Sequence, residues 1–206
     1  MENVADVGKK RDTRERILRR AIEMVEQGGE AAIRVNDIAA ECDVSITSLY
    51  HYFGNRDRLI EAVQAARYAD FSTRDLDSFA ALVSKCRSAN GFKKLVTDTL
   101  GVIFSDPQRA ELRHKRLEIL GSAAHRPNLA RALGNSQMEY NKRLGQILVP
   151  AQLEGWIRSD IDVEVLASFF MGIMNARVVI EVGDQDIDDN AWNSMALSFI
   201  TSNILV

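Results

Sequence analysis

Apolar residues recur along this chain at spacings of three and four almost throughout, and few segments alternate apolar with polar, so the pattern predicts helices and no sheet. In the first helix Asp12 serves as cap and Glu15 reaches back to it, while Ile17, Leu18, Ala21, Ile22 and Val25 share one face and Gly28-Gly29 ends it. A short helix fits Val35 to Cys42, with Val35, Ile38, Ala39 and Cys42 inward. Asp43-Val44 then leads to a second short helix capped by Ser45. Helices this short are marginal alone and need the first helix and the segment after Phe53 as packing partners. Asn55 caps the next helix, whose inner side carries Leu59, Ile60, Val63, Ala66 and Phe71 and which connects the two halves of the protein.

Beyond residue 72 the helices lengthen: Asp75 to Arg87, Phe92 to Phe104, Pro107 to Ala123, Asn128 to Val149, Val163 to Val182 and Asp189 to Leu205. Asp106-Pro107 is a strong start, a capping acid followed by a proline whose missing N–H costs nothing there. Pro150 ends or kinks its helix. Val178 to Val182 would suit a strand by composition, but it continues the apolar stretch that begins at Val165, and that length fits a buried helix better. The expected fold is all-α. Residues 10–56 form an N-terminal three-helix domain with a helix-turn-helix, and residues 57–206 form a larger helical domain.

The 206 residues include 26 Lys+Arg against 29 Asp+Glu and are 46% hydrophobic, which excludes disorder and collagen-like repeats. With no run of ~18 consecutive apolar residues and no apolar leader among the first thirty, a cytoplasmic protein without membrane contact is expected. Cys42 and Cys86 show no metal or disulfide spacing and are expected as buried thiols. Charge is concentrated: Lys9, Lys10, Arg11, Arg14, Arg16, Arg19 and Arg20 face only Asp12 and Glu15, and Val44 to Arg56 contains no acid. Such a surface suits phosphates, because a carboxylate there would repel the nucleic-acid backbone. A solvated helix face is the plainer alternative for the Lys9 to Arg20 run.

The arrangement decides more than the charge. Ala39 in a short helix permits close approach, a tight turn ends in Val44, and Leu49 points inward from a second short helix, which is helix-turn-helix spacing. Arg34-Val35-Asn36-Asp37-Ile38-Ala39, Val44-Ser45 and Leu49-Tyr50-His51-Tyr52-Phe53-Gly54-Asn55-Arg56 together closely resemble the DNA-binding domain of the TetR family of transcriptional regulators. The resemblance covers about residues 12 to 62, and the Leu-Tyr-His-Tyr-Phe run is its specific part. It implies an all-helical homodimer with a variable, small-molecule-binding C-terminal domain and two late helices that pair across the dimer. It also implies that Ser45 to Tyr50 enter the major groove, that Tyr50 and His51 approach phosphates, and that Arg56 stands where a phosphate-binding lysine is usual. Lys9, Lys10, Arg11, Arg34, Ser45, Ile46, Thr47, Ser48, Tyr50, His51 and Arg56 are therefore the expected contacts to double-stranded DNA carrying a palindromic operator. The chain departs from the family at Asp43, where glycine is common, and at Ile46 and Thr47, where a lysine and a glycine are common.

In the C-terminal region Phe92, Phe104, Met138, Phe170 and Met174 are candidates to line a ligand cavity, although aromatics at helical spacing more often form core. Asn175 and Arg177 lie within an otherwise apolar helix, and a buried polar group must find a partner: a ligand, a second subunit or a neighbouring side chain. Asp184, Asp186, Asp188 and Asp189 suit a solvated turn and the start of the last helix better than a metal site. No catalytic motif, cofactor motif or His/Cys ligand spacing occurs. The leading expectation is a dimeric repressor released by a small apolar effector. The alternatives are a regulator of the same fold controlled by a protein partner, or a helical enzyme.

Overall fold

Helix α1 (Val4–Gly28) runs through Gly8 and begins two turns earlier than the expected cap. Asp12 is instead an interior residue whose carboxylate lies 3.7 Å from Arg16 one turn on. The computed structural model describes residues 4–73, 75–183 and 187–206, with side chains from residue 11 onward except at residue 72. Gly29, at φ 68°, turns the chain into a short 3₁₀ segment, Glu30–Ala32, that leads to α2 (Val35–Glu41). Asp43 takes φ 50°, a left-handed conformation that Asp tolerates, and Val44 N–H closes the turn on Ala39 C=O at 2.9 Å. Helix α3 (Ile46–Phe53) starts where Ser45 Oγ accepts from the Ser48 N–H at 3.0 Å. It ends at Gly54, whose φ of 84° strongly favours glycine, and Asn55 Oδ1 then accepts from the Arg58 N–H to start α4 (Arg56–Thr73).

Six helices follow among the described residues: α5 (Leu76–Val83), which is short and stops before the expected Arg87, then α6 (Ala89–Ser105), α7 (Pro107–Ser122), α8 (Pro127–Leu153), α9 (Val163–Glu181) and α10 (Asp189–Asn203). Asp106 caps α7 through Gln108 N–H at 2.8 Å, and Asp188 caps α10 through Asn190 N–H at 2.8 Å. Asp184 and Asp186 lie outside the described residues. Pro150 neither ends α8 nor breaks it, since the helix runs on to Leu153. The Val178 to Val182 stretch continues α9 as far as Glu181, so the strand alternative fails. Among the described residues the one β-like contact is a bridge between Ile157 and Leu205, which ties the C-terminus to the loop before α9.

Three apolar clusters organise the packing. Ile17, Ile33, Ile38, Leu49, Leu59 and Val63 are fully buried in the first, which gathers α1, α2, α3 and the beginning of α4. Packing therefore does not break at residue 56: α4 belongs to both halves. Tyr68, Ile119, Ala123, Leu129 and Leu133 make a small second cluster where α4 meets α7 and α8. The largest cluster is built from α5, α6, α8, α9 and α10, with Phe92, Phe104 and Ala167 at its centre. Cys42 is buried, and burial pushes its thiol above the usual range, whereas Cys86 is only half-buried on the flank of α5.

Helix α9 is long and apolar enough to cross a membrane by length and composition alone, a property that the search for unbroken apolar runs passes over because Glu164, Asn175 and Arg177 interrupt it. One face of α9 packs inside the chain through Ala167, Met171, Met174 and Val178.

A charged joint fastens the two halves together. The Glu30 carboxylate accepts from Arg126 at 2.6 and 2.7 Å, from Gln64 at 2.8 Å and from Ser122 at 2.7 Å. The Arg126 guanidinium, helped by Gln64 and Ser122, outweighs burial and lowers the Glu30 pKa from 4.5 to about 2. Close by, Glu26 accepts from Arg67 at 2.6 Å and from Lys115 at 2.7 Å; burial works to raise its pKa, and the two cations hold it below the usual range nonetheless. Because the folded pKa of Glu30 lies under the unfolded one, its ionised form favours the folded chain fully above pH 4.5. That contribution is lost as pH falls to about 2. Glu30→Gln should lower the unfolding free energy by about 1–3 kcal/mol at neutral pH. It should also flatten the acid limb of a urea-unfolding series between those two pH values, as followed by circular dichroism.

Candidate nucleic-acid interface and ligand cavity

Leu49 and Phe53 anchor α3 in the first cluster, which turns the opposite side of that helix outward. Ile46 is 42% exposed and Tyr50 38%; Ser45, Thr47 and His51 are exposed and Ser48 is half-buried. Ser45, Ile46, Thr47, Tyr50 and His51 are thus exposed on α3 and its cap, while Leu49 between them is buried. The imidazole of His51 meets the Tyr52 ring edge-on, with centroids 5.9 Å apart. Arg14 of α1 stacks over Phe53 at 5.0 Å and brings an exposed cation beside this face. It was in the cationic run but not among the expected contacts.

Much of the surrounding positive charge is balanced within the chain. Arg11 pairs with Glu15 at 3.0 Å, Arg16 donates to the Cys42 carbonyl at 3.0 Å, and Arg20 bonds to both Glu41 and Glu23. The hydrogen bond from Arg20 keeps the Glu41 carboxyl below its usual range. Arg34 is exposed and donates to Ala31 C=O at 2.9 Å. The Lys9 and Lys10 side chains lie outside the described residues. Arg56 departs from the expected role: its Nη2 donates to Glu30 C=O at 2.9 Å and its Nε to Ile33 C=O at 3.3 Å. Those bonds satisfy carbonyls at the start of the 3₁₀ segment and just beyond its end, and direct the half-buried guanidinium into the fold. Its geometry supports a structural tie rather than a phosphate contact.

The second feature is a cavity of about 220 Å³ in the C-terminal half, walled mainly by apolar side chains of α4 to α10. Of the expected lining residues it takes Phe92, Phe170, Met174 and Asn175. Asn175 Oδ1 is buried without a hydrogen-bond partner, an acceptor left over in the cavity wall. Phe104 is buried but faces Trp192 instead, edge-on at 5.4 Å. Met138 is 63% exposed, because α8 buries the faces that carry Leu133, Tyr140 and Leu144 and turns Met138 to solvent. Arg177 joins neither cavity nor outer surface. It is 3% exposed, bonded to Asp189 at 2.8 Å, 3.5 Å from Glu181 and stacked 5.1 Å over Trp192, so its partners are neighbours in its own chain.

The expected lining residues omitted three further polar groups of the wall. Arg113 and Arg116 of α7 and Tyr140 of α8 all line the cavity, and burial pushes the Tyr140 hydroxyl up to about 12. Their neighbours Arg109, Lys115 and Glu118 make α7 read as a solvated helix. A signal was nonetheless present: Leu112, Arg116, Ile119 and Ala123 follow a four-three-four spacing, so Arg116 occupies a position on the apolar stripe.

Residues 17–63, which span the first cluster from α1 to α4, match the family "Bacterial regulatory proteins, tetR family". Through this domain the chain is similar to the TetR family. It is 25% identical over 193 residues to the HTH-type transcriptional regulator UidR of Escherichia coli (strain K12), covering 94% of this chain and 93% of UidR. A TetR-family regulator from Mesorhizobium loti superposes with a TM-score of 0.67 at 17% identity over 96% of this chain and 98% of that one. A transcriptional regulator from Saccharomonospora viridis in complex with choline gives 0.63 at 16% identity over 95% and 98%. The multidrug binding protein EbrR complexed with imidazole gives 0.59 at 20% identity over 95% and 91%. These structural likenesses extend the TetR fold over the C-terminal half. The matched family and UidR are both transcriptional regulators.

If Arg56 ties the 3₁₀ segment to α4 and makes no phosphate contact, Arg56→Ala should lower the melting temperature by several degrees. The slope of log affinity against log salt for duplex DNA should stay unchanged. A slope smaller by about one would restore the phosphate role.

Proposed function

We propose that this protein is a homodimeric repressor of the TetR family whose recognition helix α3 reads a two-fold operator and which a small molecule, bound in the C-terminal cavity, releases from DNA. The observation that carries the reading is that the cavity and the DNA-facing domain share two helices. Helix α4 gives Leu59, Ile60 and Val63 to the helix-turn-helix core and Phe71 to the cavity wall. Helix α7 places Arg113 and Arg116 in that wall, while its Lys115 and Ser122 hold Glu26 and Glu30 of the DNA-facing domain. An occupant that shifts α7 against α4 therefore strains the joint on which α3 is carried. A coupling of about 1–3 kcal/mol would change DNA affinity about 5- to 150-fold. The choline and imidazole complexes of structural neighbours support a ligand-responsive reading.

The surface of α9 and α10 supports the dimer. Val165, Phe169 and Val179 of α9 and Met195 and Phe199 of α10 are exposed, and the Phe169 and Phe199 rings lie 5.9 Å apart. Val178, on the same apolar helix, is spent on the chain's own core. A two-fold four-helix packing would cover the exposed strip and set the recognition helices roughly 34 Å apart, one turn of DNA. On α3, Ile46 and Thr47 suit contact with thymine methyl groups better than bidentate hydrogen bonding. Arg11, Arg14 and Arg34 lie nearby as exposed candidates for the phosphates, with Tyr50 and His51 on the helix itself.

Two measurements test this reading. Operator affinity, by fluorescence anisotropy on fragments the protein selects from its own genome, should fall on the order of 10³-fold or more between 50 and 200 mM salt if six or more phosphates are held. A flat response counts against it. In sedimentation, Val179→Glu and Phe199→Glu should each give monomers at micromolar concentration, with weakened operator binding; if both remain dimeric, the subunits pair through another surface.

A further inference from the structure

Among the described residues, the cavity wall holds a positive charge that no acid balances. Three arginines and one acid, Asp75, line the cavity. Arg109 is paired with Asp75, and Arg113 is paired with Glu181 and also donates to Ile103 C=O. Arg116 has no carboxylate. Its Nη2 donates to Phe71 C=O at 2.8 Å, its Nη1 reaches only the thioether of Met171 at 3.0 Å, and its guanidinium lies 5.6 Å from the centre of the Tyr68 ring. A guanidinium offers five N–H donors, and here one meets a good acceptor, one a weak sulfur and the face an aromatic ring. Burial accordingly depresses the Arg116 pKa, with no carboxylate to offset it.

An unbalanced cation in an apolar wall is costly to retain, and in proteins such groups are normally paired. A carboxylate arriving with a ligand would supply the missing partner in a bidentate geometry, in surroundings where the attraction is screened far less than in water. The rest of the cavity asks for an apolar body, since Phe79, Phe92, Leu100, Leu144 and Phe170 surround it. Asn175, one turn along α9 from Met171, would remain able to turn its amide toward a polar atom of the occupant.

We infer that the effector is an amphipathic organic anion, a carboxylate on an apolar body, seated with its head on Arg116 and its body among the aromatic and aliphatic side chains of α5, α6 and α8. The inference rests on the ligand-responsive reading above and narrows it from any small apolar molecule to an acid. A cation such as choline is disfavoured here, because it would meet an unpaired like charge. The placement also gives the head group a lever: Arg116 lies one residue from Lys115, which grips Glu26, and its Nη2 is bonded to α4 at Phe71.

The experiment uses the full-length chain and probes of equal length that differ only in the head: hexanoate, octanoate and decanoate against the corresponding alcohols and alkylammonium ions. Thermal shift and titration calorimetry give affinities, and anisotropy gives operator release. At least one carboxylate should bind about tenfold or more tighter than its alcohol and release DNA, and the ammonium ions should bind weakest. Arg116→Met should abolish the preference for acid over alcohol while leaving alcohol binding in place. Without any ligand it should unfold at the same or a higher temperature than the parent, because it removes an unbalanced charge. Equal binding and equal DNA release by acid and alcohol would overturn the anion assignment and leave the ligand-responsive reading intact. A lower melting temperature for ligand-free Arg116→Met, with the acid preference retained, would make Arg116 a structural residue and also overturn it. Binding by none of the probes would count against both.

Discussion

The joint between the two halves of the chain depends on how the Glu30 carboxylate is held. It sits at the foot of the DNA-facing domain and accepts hydrogen bonds from three elements: α4 through Gln64, α7 through Ser122, and the start of α8 through Arg126. Ionised carboxylates with several donors bind far more firmly than exposed ion pairs, because the geometry is fixed and water is partly excluded. Glu26 repeats the arrangement one turn earlier, with Arg67 and Lys115. Together they make a polar joint between two apolar cores, and a polar joint can change its partners without opening either core. A continuous hydrophobic interface would have to move as a block.

The same economy of charge explains the outer surface. The basic run on α1 is not left bare, since Glu15, Glu23 and Glu41 balance Arg11 and Arg20, and Arg16 turns to the Cys42 carbonyl. These solvent-facing pairs contribute little stability each, but they fix long side chains around α3 and keep the apolar edge at Ile46 and Tyr50 accessible. Within the C-terminal half the balance is kept wherever arginine is buried, by Glu181 for Arg113 and Arg177 and by Asp189 for Arg177 again. Arg116 breaks that rule at the wall of the cavity. Buried charge without a partner is where sequence and fold part from stability and point toward binding.

The N-terminal domain was legible because its determinants are local. Ser45 and Asn55 cap their own helices, Asp43 and Gly54 carry the positive φ values that the turns require, and Ala39, Val44 and Leu49 meet across a short turn. Each of these features acts within a few residues, so residue type and spacing suffice to read them. The same holds for the starts of α7 and α10, where an aspartate bonds an N–H two residues on.

What the sequence could not decide was which of several chemically similar side chains each long helix turns inward. Met138 and Met174 are alike in composition, yet one is exposed and the other lines the cavity, because α8 and α9 choose their buried faces only by packing on each other. Arg56 and Arg126 lie in the same basic background, but carbonyls brought close by the 3₁₀ segment claim the first and Glu30 claims the second. The sequence by itself determined most of the helices, the caps at Ser45, Asn55 and Asp106, and the helix-turn-helix. Only the tertiary structure assigned carboxylates to most of the buried arginines, since Glu26, Glu30 and Glu181 reach Arg67, Arg126 and Arg113 from remote positions in sequence, and among the described residues it left Arg116 without one.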